Sequence, residues 1–224
     1  MVTVLLVLFL LLFGTYKLMN SRTYQTFGDI TSSVKTNEKV VALTFDDGPT
    51  EHVDPILAIL DKYHAKATFF LIGSELEKNV QEGKKIAQAG HQIGNHTYSH
   101  QRMIFKSPSF IEREIEKTNE LIRQAGYEGE IVFRPPNGKK LIGLPYYLKT
   151  QNIQTITWNL EPETYYTSLS DKVNDVTTNV KPGSIILLHP MYNSEELKVI
   201  EGIIENLSEE GYQFVTVNQL LSLK

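Results

Sequence analysis

Residues 40–50 read VVALTFDDGPT, a largely apolar run that ends in two adjacent aspartates and is followed by a glycine and a proline. The apolar run predicts a buried β-strand. Asp46 and Asp47 stand at its end, where two neighbouring carboxylates repel each other. Because a purely structural role explains this pair poorly, we expect a function that uses both acids.

The rest of the chain alternates between apolar runs and helical patterns. Further strands are predicted at 67–72, 131–133, 154–158, 184–188 and 213–217. Several of these runs are continuous rather than alternating, which indicates strands buried on both faces and a mostly parallel sheet. The pattern predicts an α/β domain, open or closed into a barrel. In such folds functional groups gather where strands end.

Local signals predict where two of the helices begin. Asp54 followed by Pro55 is typical of an N-cap with proline at the first helical position. Ser109 and Glu112 have the spacing of a capping box. We therefore predict helices that start at these residues.

Composition excludes several functional classes. The chain has 224 residues, a net charge of −4 and no cysteine. The negative charge argues against a nucleic-acid partner. The lack of cysteine excludes disulfides, thiolate metal sites and a cysteine nucleophile.

The N-terminal segment MVTVLLVLFLLLFGTYKLMNSR is strongly apolar. A retained membrane anchor, a cleaved signal peptide and a buried helix are the three interpretations, and we favour the anchor because no small-residue cleavage site is visible. The first two place the domain outside the cytoplasm. We divide the chain into a hydrophobic anchor or signal segment (1–20), a polar tether (21–38) and a catalytic domain (39–224).

The stretch GHQIGNHTYSH at residues 90–100 contains two histidines four positions apart. On a helical turn, the His96 and His100 side chains would face the same way and bind one metal ion. With Asp47 they form a complete ligand set. Such a set suits a catalytic zinc, and it equally suits a non-haem iron oxygenase.

Two more strand ends carry polar residues. In FRPPNG (133–138), Arg134 follows a strand in a stiff loop, and we expect it to pair with Asp46. In SIILLHP (184–190), His189 follows a buried strand. This histidine either caps the strand through a hydrogen bond or donates a proton near neutral pH.

Together, TFDDGPT, GNHTYSH, RPPNG and LLH resemble the ordered motifs of the polysaccharide deacetylases, the NodB-homology proteins of carbohydrate esterase family 4. The resemblance covers roughly residues 39–221. It implies a distorted (β/α) barrel and a metal-dependent hydrolase of linear amide bonds. The substrate would be N-acetylglucosamine in peptidoglycan or a related polysaccharide of the bacterial cell envelope. We expect a monomer, secreted or attached to the membrane through its N-terminal segment.

The resemblance also implies roles for individual residues. Asp46 would be the base that acts on a metal-activated water, Arg134 would hold Asp46, and His189 would be the general acid. The metal, most simply zinc, would be held by Asp47, His96 and His100. Leu187 would line the acetyl pocket, and the backbone N–H at Asn137 would bind the oxyanion. Trp158 either shapes that pocket or packs in the core. Iron oxygenase chemistry has no use for Asp46, Arg134 and His189.

The sequence departs from the family pattern at two positions. Asn137 stands where the family usually has tyrosine, which leaves the backbone donor unchanged. Thr164 stands where an aspartate usually orients the catalytic histidine, so Glu161 and Glu163 are candidates for that role, and an aspartate at 164 is predicted to raise activity. The alternative interpretation is a weakly active or inactive glycan-binding relative.

Overall fold

The computed structural model describes residues 2–224. The strands are β1 (Ile30–Thr31), β2 (Val40–Asp46), β3 (Ala67–Leu71), β4 (Gln92–Asn95), β5 (Thr155–Ile156), β6 (Ile185–Leu188) and β7 (Gln213–Phe214). The helices are α1 (Val2–Asn20), α2 (Val53–Lys62), α3 (Gly73–Lys78), α4 (Val80–Gln88), α5 (Pro108–Gln124), α6 (Gly143–Thr150), α7 (Leu169–Asn179), α8 (Glu196–Glu209) and α9 (Val217–Leu221).

All pairings between these strands are parallel. The central order is β4-β3-β2-β6, with β7 beside the start of β2 and with β1 paired to β5. Single-residue bridges link Asn95 to Phe133, Phe133 to Thr155, and Leu160 to Ile186. These bridges extend the sheet beyond both of its edge strands, β4 and β6, so that its two ends approach each other. The distorted barrel that the resemblance implies closes in this way. The predicted α/β class with parallel strands is confirmed.

The central strand β2 is buried at every position. Its Val41, Leu43 and Phe45 side chains pack into the core that the outer helices cover, whereas Ala42 belongs to the inner core with Trp158. Because side chains alternate along a strand, Asp46 shares the inner face with Ala42. The strand therefore delivers its last carboxylate to the inside of the fold.

Some predicted strands differ from the observed ones. The strand predicted at 131–133 is reduced to the bridge at Phe133, because Pro135 and Pro136 lack the N–H that a longer ladder needs. The strand predicted at 213–217 ends at Phe214, since Thr216 forms a capping box that begins α9. The short strands β1 and β4 were not predicted.

The two predicted helix starts are also wrong by a few residues. Helix α5 has Ser107, not Ser109, as its N-cap, and the Ser107 hydroxyl accepts a hydrogen bond from the Phe110 N–H. Pro108 occupies the first helical turn, where its missing N–H is no loss. Helix α2 begins at Val53, which places Asp54 inside its first turn.

Helix α1 is exposed over residues 2–14 and only half-buried at its C-terminal end. None of its residues is buried, so the interpretation as a buried core helix is wrong. Its 19 residues span about 28 Å, close to the ~30 Å of a bilayer's hydrocarbon core. Its mean hydropathy is 2.2. A retained anchor and a signal sequence both fit such a helix.

Part of the predicted tether, residues 21–38, packs against the domain. Strand β1 pairs with β5, and the Val34 side chain is buried. The Val34 N–H donates to the Gly183 carbonyl at 2.9 Å. The polar sequence of this segment gives no sign of these contacts, which are made largely by its backbone. The division of the chain into three parts stays a prediction.

Replacing Gly183 by alanine is expected to destabilise the protein through this contact. Gly183 has φ +83°, and an added Cβ would lie 1.8 Å from the Val34 carbonyl oxygen. Gly211 has the same φ but open space around it, so Gly211→Ala is a matched control for backbone strain. Overpacking costs about 1–3 kcal/mol, so thermal unfolding should show Gly183→Ala melting roughly 2–10 °C below the control. Equal melting temperatures would contradict the docking of residues 33–36.

Candidate active site

Strand ends meet around one cavity of about 290 Å³. Its lining comprises Arg22, Asp46, Asp47, His96, His100, Asn137, Trp158, Glu161, Thr164, Leu187 and His189. The structure thus brings together all the predicted site residues except two. Arg134 is fully buried and contacts Asp46 from below the cavity, and Glu163 contacts His189. Arg22 is the lining residue that was not predicted.

Asp47, His96 and His100 converge on one point. One ligand atom from each lies within 4.8 Å of the other two. The Oδ1 atom of Asp47 is 3.3 Å from His100 Nε2 and 3.8 Å from His96 Nε2. This buried oxygen has no hydrogen-bond partner among residues 2–224. An unpartnered carboxylate oxygen between two imidazole nitrogens is a donor set that fits a divalent metal ion.

The loop after β4 brings the two histidines together, so the prediction of a helical turn is wrong. Thr97 and His100 have positive φ angles of 65° and 55°. Asn95 stabilises this turn, because its Oδ1 accepts from the Thr97 N–H at 2.8 Å. The two imidazole rings still meet, with centroids 4.9 Å apart.

His96 is held in the state that a metal ligand needs. Its Nδ1 hydrogen-bonds to the Arg134 carbonyl at 2.8 Å, which leaves Nε2 facing Asp47. Burial outweighs the attraction of the Asp47 carboxylate and lowers the pKa of His96 to about 3. The imidazole is therefore neutral near neutral pH, with a lone pair free for a metal.

Asp46 and Arg134 form a buried ion pair. Arg134 Nη1 donates to Asp46 Oδ1 at 2.6 Å and to the Thr44 hydroxyl at 2.9 Å. Its Nη2 donates to the Thr157 carbonyl at 3.2 Å. Burial lowers the pKa of Arg134, and the Asp46 carboxylate opposes that shift. The pair fixes one Asp46 oxygen, while the other lies 3.6 Å from His96 Nε2.

Of the three candidates for orienting His189, Glu163 is the one that contacts it. Its Oε2 lies 2.5 Å from His189 Nδ1, and its Oε1 accepts from the His189 backbone N–H at 2.9 Å. Burial disfavours the charged imidazole, but the Glu163 hydrogen bond and the charges of Asp46, Glu163 and Asp47 raise the pKa of His189 to about 9. The same contact lowers the pKa of Glu163 against the effect of its burial.

The other two candidates for this role have different contacts. Glu161 Oε2 accepts from Trp158 Nε1 at 2.9 Å and pairs with Arg22 at 2.7 Å. Thr164 lines the cavity. Because Glu163 already holds His189, the predicted gain from an aspartate at position 164 loses its physical reason.

The remaining wall of the cavity is apolar at its base and polar at its rim. Leu187 and Trp158 are almost fully buried beneath the cavity. Asn137 has φ 54° in the turn after Pro136, and its Oδ1 accepts from Arg102 Nε at 3.0 Å. Leu187 and Trp158 are therefore the apolar part of the cavity lining.

Arg22 completes the cavity from outside the predicted domain. Its guanidinium lies 4.6 Å from the centre of the Trp158 ring and pairs with Glu161. Nothing in the sequence pattern marks this arginine, which stands in a polar segment directly after an apolar helix. Only the folded chain reveals that it lines the cavity.

Comparison with known proteins gives consistent matches. A family model described as polysaccharide deacetylase matches residues 33–156. The chain is 35% identical over 203 residues to a peptidoglycan-N-acetylglucosamine deacetylase of Bacillus cereus, covering 88% of this chain and 95% of that relative. The sequence similarity therefore extends over nearly the whole of both proteins.

Solved structures show the same fold. One is a peptidoglycan N-acetylglucosamine deacetylase in complex with an N-hydroxybenzamide derivative, with a TM-score of 0.78, 35% identity, and coverage of 86% of this chain and 92% of that one. Another is a pseudoenzyme of carbohydrate esterase family 4 from Bacillus anthracis, with a TM-score of 0.79, 29% identity, and coverage of 88% and 69%. An enzyme and a pseudoenzyme thus share this architecture.

Proposed function

The chain belongs to the polysaccharide deacetylase family, and we propose that it is a metal-dependent hydrolase that removes N-acetyl groups from N-acetylglucosamine in peptidoglycan or a related polysaccharide. The observation that carries this proposal is the content of one cavity. It holds a three-residue metal-ligand set, a carboxylate paired with a buried arginine, and a histidine paired with a glutamate. Amide hydrolysis uses all three.

Asp47, His96 and His100 would hold the metal, and their two nitrogens and one oxygen suit zinc. When bound, the ion polarises an amide carbonyl and makes a water molecule more acidic. The neutral state of His96 and the unpartnered Asp47 oxygen support this assignment. Iron oxygenase chemistry would leave the Asp46 and His189 pairs without a role.

Asp46 is the general base of the proposed reaction. Arg134 holds one of its oxygens, and the other faces the ligand set, where it takes a proton from the attacking water. The guanidinium stabilises the carboxylate before this transfer. It also orients the carboxylate, which has little freedom to rotate.

His189 is the general acid. Its Nδ1 is bound to Glu163, so the proton for the departing sugar nitrogen is carried on Nε2. With a pKa of about 9, the imidazole stays protonated at neutral pH. Leu187 and Trp158 receive the acetyl methyl group, and the backbone at Asn137 supplies a hydrogen-bond donor to the oxyanion.

Replacing Glu163 by glutamine is expected to slow acetate release in a pH-dependent way. The substitution removes the charge that raises the pKa of His189 above its ordinary value. If that pKa falls from about 9 to about 6.5, the protonated fraction drops about 30-fold at pH 8 and less than about two-fold at pH 6. Rates of acetate release from N-acetylglucosamine oligomers, measured from pH 6 to 9, test this.

The matched control is Glu205→Gln, which neutralises an exposed glutamate of α8. Its pH profile should match that of the unmodified chain. A loss of equal size at every pH in Glu163→Gln would mean that Glu163 acts by position alone, without supporting the charge of His189.

A glycan-binding relative without turnover is the second candidate, favoured by the similarity to a pseudoenzyme. The Glu163–His189 contact counts against it, because the missing aspartate at position 164 was its support in the sequence. The full chain in detergent, supplied with zinc or cobalt, should release acetate from N-acetylglucosamine oligomers. Tight oligomer binding without acetate would instead identify a binding protein.

We also propose the cell envelope as the location, with α1 as a retained anchor and the catalytic domain as a monomer outside the membrane. The exposed apolar face of α1 and the peptidoglycan deacetylases among its relatives support this. Extraction from bacterial membranes by detergent, but not by high salt or carbonate, tests the anchor.

A further inference from the structure

The segment that joins α1 to the domain is fastened to the rim of the cavity. The Thr157 hydroxyl donates to the Arg22 carbonyl at 2.6 Å, and the Lys140 N–H donates to the Met19 carbonyl at 3.4 Å. The Lys140 ammonium also donates to the Ser21 carbonyl. These contacts hold the backbone of residues 19–22 in one place beside the site.

The Arg22 side chain is positioned for contact with a ligand. It lines the same cavity as Asp46 and Asp47, and 37% of it is exposed. A guanidinium carries five N–H donors, and within residues 2–224 the Arg22 guanidinium makes one hydrogen bond, to Glu161. Its other donors are available to acceptor oxygens that enter the cavity.

We propose that Arg22 is a substrate-binding residue, which donates hydrogen bonds to oxygen atoms of the acetylated glycan and forms a sugar-facing wall with Trp158. This inference rests on the proposed deacetylase function. Because Glu161 partly balances its charge, Arg22 suits the hydroxyl and carbonyl oxygens of a sugar. The Arg22 guanidinium lies 4.6 Å from the centre of the Trp158 ring, a cation–π contact that holds it beside the cavity.

The inference ties the substrate to the anchor. Arg22 lies two residues beyond Asn20, the end of α1, so the chain between them spans at most about 7 Å. With α1 in a membrane, Arg22 and the cavity that it lines would stay close to the bilayer surface.

The test uses the full chain in detergent with N-acetylglucosamine oligomers, and it separates KM from kcat. Arg22→Ala is expected to raise KM about ten-fold, since hydrogen bonds to a charged donor are lost, and to change kcat less than about three-fold. Arg22→Lys should fall between, because it keeps the charge without the planar donors. Arg113→Ala, which removes an exposed arginine that also lies beside an aromatic ring, is the matched control and should leave both constants unchanged.

Other outcomes would overturn the inference. An unchanged KM with a lower kcat would mean that Arg22 only positions Trp158 and Glu161. An unchanged KM and an unchanged kcat would mean that Arg22 has no role in substrate binding. Calorimetric binding of the same oligomers is measured in parallel, so that a chain without turnover, which would end the proposed function, still reports whether Arg22→Ala weakens glycan binding about ten-fold.

Discussion

Removing divalent ions with EDTA is expected to abolish acetate release, and zinc or cobalt is expected to restore it. A metal ion contributes several kcal/mol of transition-state stabilisation, so the loss should reach about 10³-fold or more. The reason lies in the donor set: Asp47 Oδ1 is buried without a hydrogen-bond partner in the described chain, between His96 and His100. The measurements are the rate of acetate release and the zinc content of the protein.

Substituting one of the three proposed metal ligands is expected to abolish acetate release as EDTA does. His96→Ala removes a buried imidazole of the set, and we expect zinc content and activity to fall together. His64→Asn is the control, because His64 is an exposed histidine with a positive φ, which asparagine tolerates, and it does not line the cavity. Full activity in the EDTA-treated protein, with no metal detected, would exclude a metal-dependent reaction.

Much of this site was predictable because strand ends are visible in the sequence. Continuous apolar runs locate β2 and β6, and the polar residues that follow them, Asp46, Asp47 and His189, must then lie at one edge of a parallel sheet. Arg134 follows a third run, and its pairing with Asp46 was expected because a base beside a metal-bound Asp47 needs orientation and charge balance. The structure contains that ion pair.

Other features were not predictable from local pattern. Strand β4 contains Gly94 and two polar residues, so its sequence QIGN lacks the apolar signature of a buried strand, although all its residues are buried by tertiary contacts. The approach of His96 to His100 depends on positive φ angles in the loop between them, which a hydrogen bond to Asn95 stabilises. The four-residue spacing alone suggests a helical turn instead.

Long-range contacts of single side chains were also not predictable from the sequence. Glu161 and Glu163 are two residues apart and chemically identical, and only the turn at Pro162–Thr164 decides which of them reaches His189. Arg22 stands in a segment without hydrophobic periodicity. Its place in the cavity follows from hydrogen bonds to residues more than a hundred positions away. Contacts of this kind are a property of the folded chain.

Replacing Asp46 by asparagine is expected to slow acetate release by about 10²–10⁴-fold, the usual contribution of a positioned general base. Asparagine has nearly the same shape, and its amide oxygen can still accept from Arg134, but it cannot take a proton from water. Zinc content should stay unchanged, because Asp46 lies outside the set formed by Asp47, His96 and His100.

The same substitution leaves Arg134 without its counter-charge, and breaking a buried ion pair costs about 3–5 kcal/mol. A lower rate therefore counts only if the variant is folded at the assay temperature, which its melting curve establishes. Glu114→Gln is the comparison for stability, since it also neutralises a buried carboxylate, one that hydrogen-bonds to Ser99 outside the cavity. Suppose that the Asp46→Asn variant is folded and loaded with zinc and keeps a rate within about ten-fold of the unmodified chain. The general base would then have to be another group. Asp46 places one carboxylate oxygen beside the ligand set while Arg134 holds the other, and we therefore expect the slower result.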